Sequence, residues 1–173
     1  FCSRIFQPST IHLQPSTCLS MQICLFQPEI PPNTGNIARL CAATETRLHL
    51  IEPLGFSLED RYLRRAGLDY WPYVQVQVWP DWESFAATLG SKDQVVLTST
   101  HAGKNLFSFA FSGRETLVLG PETKGLPQWF AERYRHHLRI PIRGTKVRSL
   151  NISNAAAVCL YEALRQTGQL EGW

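Results

Sequence analysis

No CxxC pair, HExxH helix, GxSxG elbow or GxGxxG turn occurs in the 173 residues. Zinc chemistry, serine hydrolysis and hydride transfer on a dinucleotide therefore have no motif to rest on. The loop Gly120–Gly125, GPETKG, lacks the GK[ST] ending of a phosphate-binding P-loop, so nucleoside triphosphate hydrolysis has none either. Apolar runs are short, none near the roughly 18 residues that cross a bilayer, and no membrane association is expected. The five cysteines, Cys2, Cys18, Cys24, Cys41 and Cys159, have no histidine at metal-ligand spacing, so no metal is expected. Cys24, Cys41 and Cys159 sit in apolar patterns and read as small buried hydrophobes in a reducing cytoplasm. Carboxylates are missing over one long stretch. From Arg133 to Tyr161 there are six Lys/Arg and no Asp or Glu, which favours a phosphate-bearing partner although the net charge is only +3.

Methionine occurs once, at Met21, directly before the first clear strand. The preceding residues 1–20 carry QPST twice and a single charge, Arg4, and are expected to be a non-native or disordered extension. The domain is expected over 21–167, with 168–173 as a tail. Within it the pattern alternates. Gln22–Phe26 reads as a strand, ended by Pro28, Pro31 and Pro32. A helix is predicted from Asn33 or Thr34, either able to cap it, with Ile37, Leu40 and Cys41 on its buried face. Arg39 falls on another face near the expected helix start, where a cation opposes the dipole and calls for an anionic partner.

Arg47–Ile51 and Val74–Trp79 alternate as strands, separated by a short basic helix over Leu58–Ala66 that carries Arg61, Arg64 and Arg65. Asp81 caps a helix running to about Leu89. Gln94–Ser99 and Glu115–Leu119 are apolar strands, with weakly patterned sequence between them. Pro127–Tyr134 is a helix, His137–Ile140 a strand and Asn151–Thr167 the last helix. Strands alternating with helices predict a single α/β domain, a mainly parallel sheet with helices on both faces.

Three loops each follow a strand, at Thr98–Gly103, Gly120–Gly125 and Ile142–Asn151. In a parallel sheet such loops share one edge, where ligands bind. Glycine close to the strand end would let a flat ring approach the backbone. Trp71, Trp79, Trp82 and Trp129 suit packing or base stacking, and His136-His137 suits the polar start of a strand.

The runs NTGNIARLCAAT (33–44), LVLGPETKGLP (117–127) and IPIRGTKVRSLNISNAAAV (140–158) resemble, in order and spacing, the three motifs of the SpoU branch of the SPOUT RNA methyltransferases. IEPLGF and YLRRAGLDYW resemble its small YibK-type members, which methylate the ribose 2′-oxygen at the tRNA wobble position. The likeness covers about Met21–Gln166. It implies S-adenosylmethionine as cofactor, a homodimer, a C-terminal trefoil knot and a tRNA anticodon stem-loop as partner. It assigns cofactor contacts to Thr98 (or its neighbour Leu97), Gly120, Ile140, Ile142, Ser149 and Leu150, and catalytic work to Arg39, Asn36 and Glu122. Arg64, Arg65 and Arg148 would contact RNA. The third loop departs from the pattern, being one residue longer between Pro141 and Ser149.

The residues themselves leave alternatives open. A guanidinium is protonated at neutral pH, so Arg39 suits a phosphate clamp that polarises the 2′-oxygen better than a base. A structural ion pair is its plainer role. Asn36 could orient the ribose or complete the helix start. Glu122 could move a proton or hold its turn by accepting N–H groups. Asn151 is the natural cap of the last helix. The rival functions are methylation of another RNA, such as rRNA, and non-catalytic RNA binding on the same fold.

Overall fold

The computed structural model describes residues 21–58, 70–101 and 103–171. The helix expected over Leu58–Ala66, with Arg61, Arg64 and Arg65, lies outside the described residues except for Leu58, and residues 1–20 lie outside them too. Seven strands form one sheet in the order β3-β2-β1-β6-β4-β7-β5. They are β1 (Gln22–Phe26), β2 (Arg47–Ile51), β3 (Val76–Trp79), β4 (Gln94–Thr98), β5 (Lys104–Asn105), β6 (Glu115–Leu119) and β7 (His136–Arg139). Every pairing is parallel. The central strands β1 and β6 are covered on both faces and buried along their whole length, the polar Gln22, Glu115 and Thr116 included.

The two-residue period of a strand splits the core in two. Ile23, Leu25, Leu48, Leu50, Leu117 and Leu119 pack under the helices α1 (Pro31–Ala43) and α4 (Ile152–Gln166). Cys24, Phe26, Ile51, Leu97 and Val118 pack under α2 (Trp82–Ala86) and α3 (Gln128–Arg133), through Trp82, Phe85 and Phe130. Trp82 is buried and meets Phe130 edge-on, while Trp129 stacks on Phe130 and stays partly exposed. Cys24, Cys41 and Cys159 are buried free thiols, and burial pushes Cys41 and Cys159 up to about 12.

Several boundaries differ from expectation. Pro31 and Pro32 begin α1 instead of preceding it. The first N–H groups of a helix have no acceptor within it, so losing two of them there costs nothing. The cap is Ile30, whose carbonyl accepts from Asn33 and Thr34 N–H, and neither Asn33 nor Thr34 caps. Arg39 is consequently the ninth of thirteen residues, mid-helix, and the dipole argument for it lapses. β3 starts at Val76, not Val74, because a 3-10 turn at Trp71–Tyr73 occupies the approach. Asp81 caps α2 as expected, accepting from Ser84 N–H at 2.7 Å, but the helix ends at Ala86. The weakly patterned stretch after β4 yields the edge strand β5 and a 3-10 turn at Leu106–Ser108.

Candidate functional site

The loops after β4, β6 and β7 converge at the carboxyl ends of these strands around a cavity of about 750 Å³. Thr98, Gly120, Ile140, Ile142, Ser149 and Leu150 all line it, as does Arg148. Leu97, Leu119 and Leu126 supply apolar wall. The long loop 141–151 is exposed throughout, and its apolar Ile142 and Leu150 stand uncovered at 36% and 39%.

Gly120 serves a different end from ligand approach. A Cβ there would collide with the Leu126 amide nitrogen and stand 2.6 Å from the Gly125 carbonyl carbon. The missing side chain lets the loop fold back over the end of β6. Gly125, at φ +68°, makes the turn that brings it there. The Thr98 hydroxyl donates to the Val118 carbonyl at 3.2 Å, so it fastens β4 to β6 at the cavity floor.

Glu122 accepts hydrogen bonds as its second reading anticipated, but not from its own turn. Its Oε2 accepts from Glu29 N–H at 2.9 Å and its Oε1 from Asn33 Nδ2 at 3.1 Å. Glu29 returns the contact, accepting from the Thr123 N–H at 3.0 Å and from its hydroxyl. The β1–α1 turn and the β6–α3 loop thus exchange carboxylates. Asn33 Oδ1 then accepts from Asn151 Nδ2 at 2.9 Å, while Asn151 Oδ1 accepts from Ser153 N–H and caps α4. One relay of donors ties the first turn, the second loop and the start of the last helix together. Every residue of it except Ser153 and Glu29 lines the cavity.

Sequence reasoning offers Asn33 only as a helix cap and passes over Glu29. Asn33 is a buried polar side chain at 7% exposure. The signal for it is its place at the head of the NTGN run, three residues before Asn36. Asn36 and Arg39, by contrast, are exposed and do not line the cavity of this chain. The Arg39 guanidinium lies over the Tyr70 ring, 4.6 Å from its centroid, and the Tyr70 hydroxyl donates to the Gly35 carbonyl at 2.7 Å. No group of three or more His, Cys, Asp or Glu suited to a metal occurs among the described residues.

A parallel α/β sheet, a cavity outside its strand ends and a relay that fixes the cavity's loops define a small-molecule-binding α/β protein of the doubly wound kind. Residues 20–161 match the SpoU rRNA methylase family, and the chain belongs to it. The chain is 51% identical over 146 residues to the tRNA (cytidine(34)-2′-O)-methyltransferase of Methylovorus glucosotrophus, across 83% of this chain and 94% of the relative. It is 46% identical over 151 residues to the enzyme of the same name from Aeromonas hydrophila, covering 86% and 95%. A solved structure concerned with 2-OH methylation of C/U34 on tRNA superposes with a TM-score of 0.82 at 42% identity, covering 86% of this chain and 97% of that one. The SpoU methyltransferase AviRb of Streptomyces viridochromogenes, in complex with AdoMet, superposes at 0.79 with 25% identity, over 88% and 59%.

Proposed function

We propose that this chain is an S-adenosylmethionine-dependent tRNA methyltransferase acting on the ribose 2′-hydroxyl of nucleotide 34, a cytidine or uridine, in the anticodon loop. What carries the reading is one cavity: all six residues assigned to the cofactor from motif position line it. Relatives 45–51% identical over most of the chain bear the corresponding name.

The cavity fits the cofactor on its own chemistry. Its volume is that of a small-molecule site, and its walls pair apolar side chains with loop backbone that the Glu29–Glu122–Asn33–Asn151 relay holds still. Leu97, Ile140, Ile142 and Leu150 would cover an adenine ring, and Gly120 and Ser149 would offer backbone groups. When bound, S-adenosylmethionine supplies an electrophilic sulfonium methyl group. This chain's task is then alignment and charge control. Glu122 acts as a fastener, with both oxygens engaged by donors. Arg39 clamps the phosphate beside the target ribose and polarises its oxygen, and Asn36 orients the sugar.

Arg39 lies outside the cavity of its own chain, which suits a cytoplasmic homodimer in which α1 of one protomer addresses the cavity of the other. Exposed Ile30 beside α1 and Tyr161 on α4 support such an interface. The chain is expected to close a trefoil knot around the 140–151 loop, as the family likeness implies.

The test is methylation of tRNA from a strain lacking this activity, followed by nucleoside mapping. Label is expected on the 2′-oxygen of nucleotide 34, and Arg39→Ala should lower turnover at least about 100-fold with cofactor affinity unchanged. Label on a base atom, or on ribosomal RNA alone, overturns the reading. Full turnover in Arg39→Ala overturns that residue's role.

A further inference from the structure

Two stretches of this chain lack carboxylates at the surface. One is 133–161. The other is 99–114, which carries His101, Lys104 and Arg114 and no Asp or Glu. The fold lays these two side by side. β5 is the outermost strand and pairs only with β7, Lys104 opposite Leu138 and Asn105 opposite Arg139. The sheet edge next to the cavity is thus built from two segments without a carboxylate.

The side chains along this edge touch in sequence. Lys104 Nζ stands 5.1 Å above the Phe109 ring. That ring meets the His136 ring edge-on at 5.5 Å. Arg135 Nε donates to His136 Nε2 at 3.1 Å. An arginine only donates, so His136 Nε2 accepts here, and burial, then the charges of Arg135 and Lys104, hold the His136 pKa below its ordinary value. Lys104, Arg135 and Arg139 are exposed, and no ion pair to them is formed among the described residues. Glu115, whose charge acts on His136, is buried, its oxygens taken by donors of residues 112–114. Phe107, two residues beyond β5, is 56% exposed, and its N–H is tied back to Asn105 at 3.0 Å. β7 leads directly into the cavity wall, where His137, Leu138 and Ile140 line it.

We propose that the β5–β7 edge is an RNA-docking track, on which Lys104 and Arg135 hold backbone phosphates while Phe107 stacks on an unpaired base. Fixed cations along a strand with an aromatic face beside them are what single-stranded RNA needs: charge for the backbone and a sequence-tolerant platform for a base. A basic edge has a plainer use, since lysine on an outer strand deters pairing with another sheet. That use explains Lys104 alone. It does not call for a cation at Arg135, just before the inner neighbour β7, nor for an exposed phenylalanine, which would favour association. The track rests on the RNA-methylating reading but uses none of the residues given to the cofactor or to catalysis.

The experiment is binding of bulk tRNA across about 50 to 200 mM salt, with methyl transfer measured in parallel. For Lys104→Ala/Arg135→Ala the affinity should fall about 5- to 30-fold at the upper salt. The slope of log affinity against log salt should flatten by about 1.5, since two phosphates go unneutralised at roughly 0.7–0.9 each. Phe107→Ala should weaken binding at least about fivefold, and Phe107→Tyr should restore it. Cofactor affinity and turnover at saturating RNA should stay at the parent values. Unchanged affinity and slope in the double variant overturn the track, and so does aggregation with RNA binding intact, which assigns the cations to edge protection. A parent protein that binds RNA with the expected slope yet methylates none of it sinks the functional reading and leaves the track standing.

Discussion

Three side chains at the cavity meet a donor wherever they have an acceptor, and the order cannot be reversed. The Ser153 N–H can only donate, so Asn151 must turn its oxygen toward it and its NH2 toward Asn33. Asn33 must then turn its own NH2 toward Glu122. A carboxylate closes this sequence because it only accepts. Glu122→Gln keeps the shape but sets one NH2 against a donor, either the Glu29 N–H or Asn33 Nδ2, and neither can turn away. The expected loss is about 1–3 kcal/mol, read as a roughly tenfold fall in cofactor affinity by calorimetry, while far-ultraviolet circular dichroism stays that of the parent. Equal affinity in the two proteins would show that the relay does not shape the cavity. Glu122 is legible as a fastener from its place in a glycine-rich loop. Its partner is not, because Glu29 lies 93 residues away and only the pairing of β1 with β6 brings the turns together.

At the start of α4 one residue serves both the helix and the cavity. Asn151 caps the helix and also reaches Asn33, so cap and cavity can be separated by substitution. Asn151→Ala removes both functions and should lower stability by about 1 kcal/mol together with cofactor affinity. Asn151→Ser keeps an oxygen for the Ser153 N–H but has no NH2 for Asn33. It should hold the parent denaturation midpoint and still lose cofactor affinity. Loss of stability with affinity intact in the serine variant is the opposite result. The existence and order of the strands are plain in the sequence, since β1, β2 and β6 fall on the predicted residues. The helix ends are less so. Proline at 31 and 32 looks like a breaker, whereas at the first turn its missing N–H is no loss. β5 has two residues, too few for any period to be seen in the sequence.

Across the whole sheet, one polar chain runs through the face under α2. Trp79 Nε1 donates to His49 Nδ1 at 3.1 Å, His49 Nε2 bonds Gln22 Oε1 at 3.0 Å, and Gln22 Nε2 donates to Thr116 Oγ1 at 2.8 Å. It links β3, β2, β1 and β6. Since Trp79 can only donate, His49 is neutral with its proton on Nε2. Burial, then the nearby Arg47 charge, presses its pKa from 6.5 to about 4. A folded pKa below the unfolded one means stability that is complete above about pH 6.5 and is lost as the pH falls from there toward 4. The ceiling on that loss is about 3 kcal/mol. Urea midpoints at about pH 7.5 and about pH 4.5 should therefore differ less in His49→Gln than in the parent, although the variant starts lower. An equal fall in both proteins would place the acid sensitivity elsewhere.

Legible along the chain are the alternation of strands and helices, the apolar character of β6, the cap at Asn151 and the three loops that gather at one sheet edge. Each of these follows from periods of two or about 3.6 residues and from turn chemistry, which act between near neighbours in the chain. The packed fold alone sets which carboxylate meets which turn, that Asn33 and not Asn36 enters the cavity, that Arg39 rests on Tyr70 outside it, and that two carboxylate-free stretches share an outer edge. Those contacts join residues separated by tens of positions. They are set by strand order and register, which no local pattern encodes.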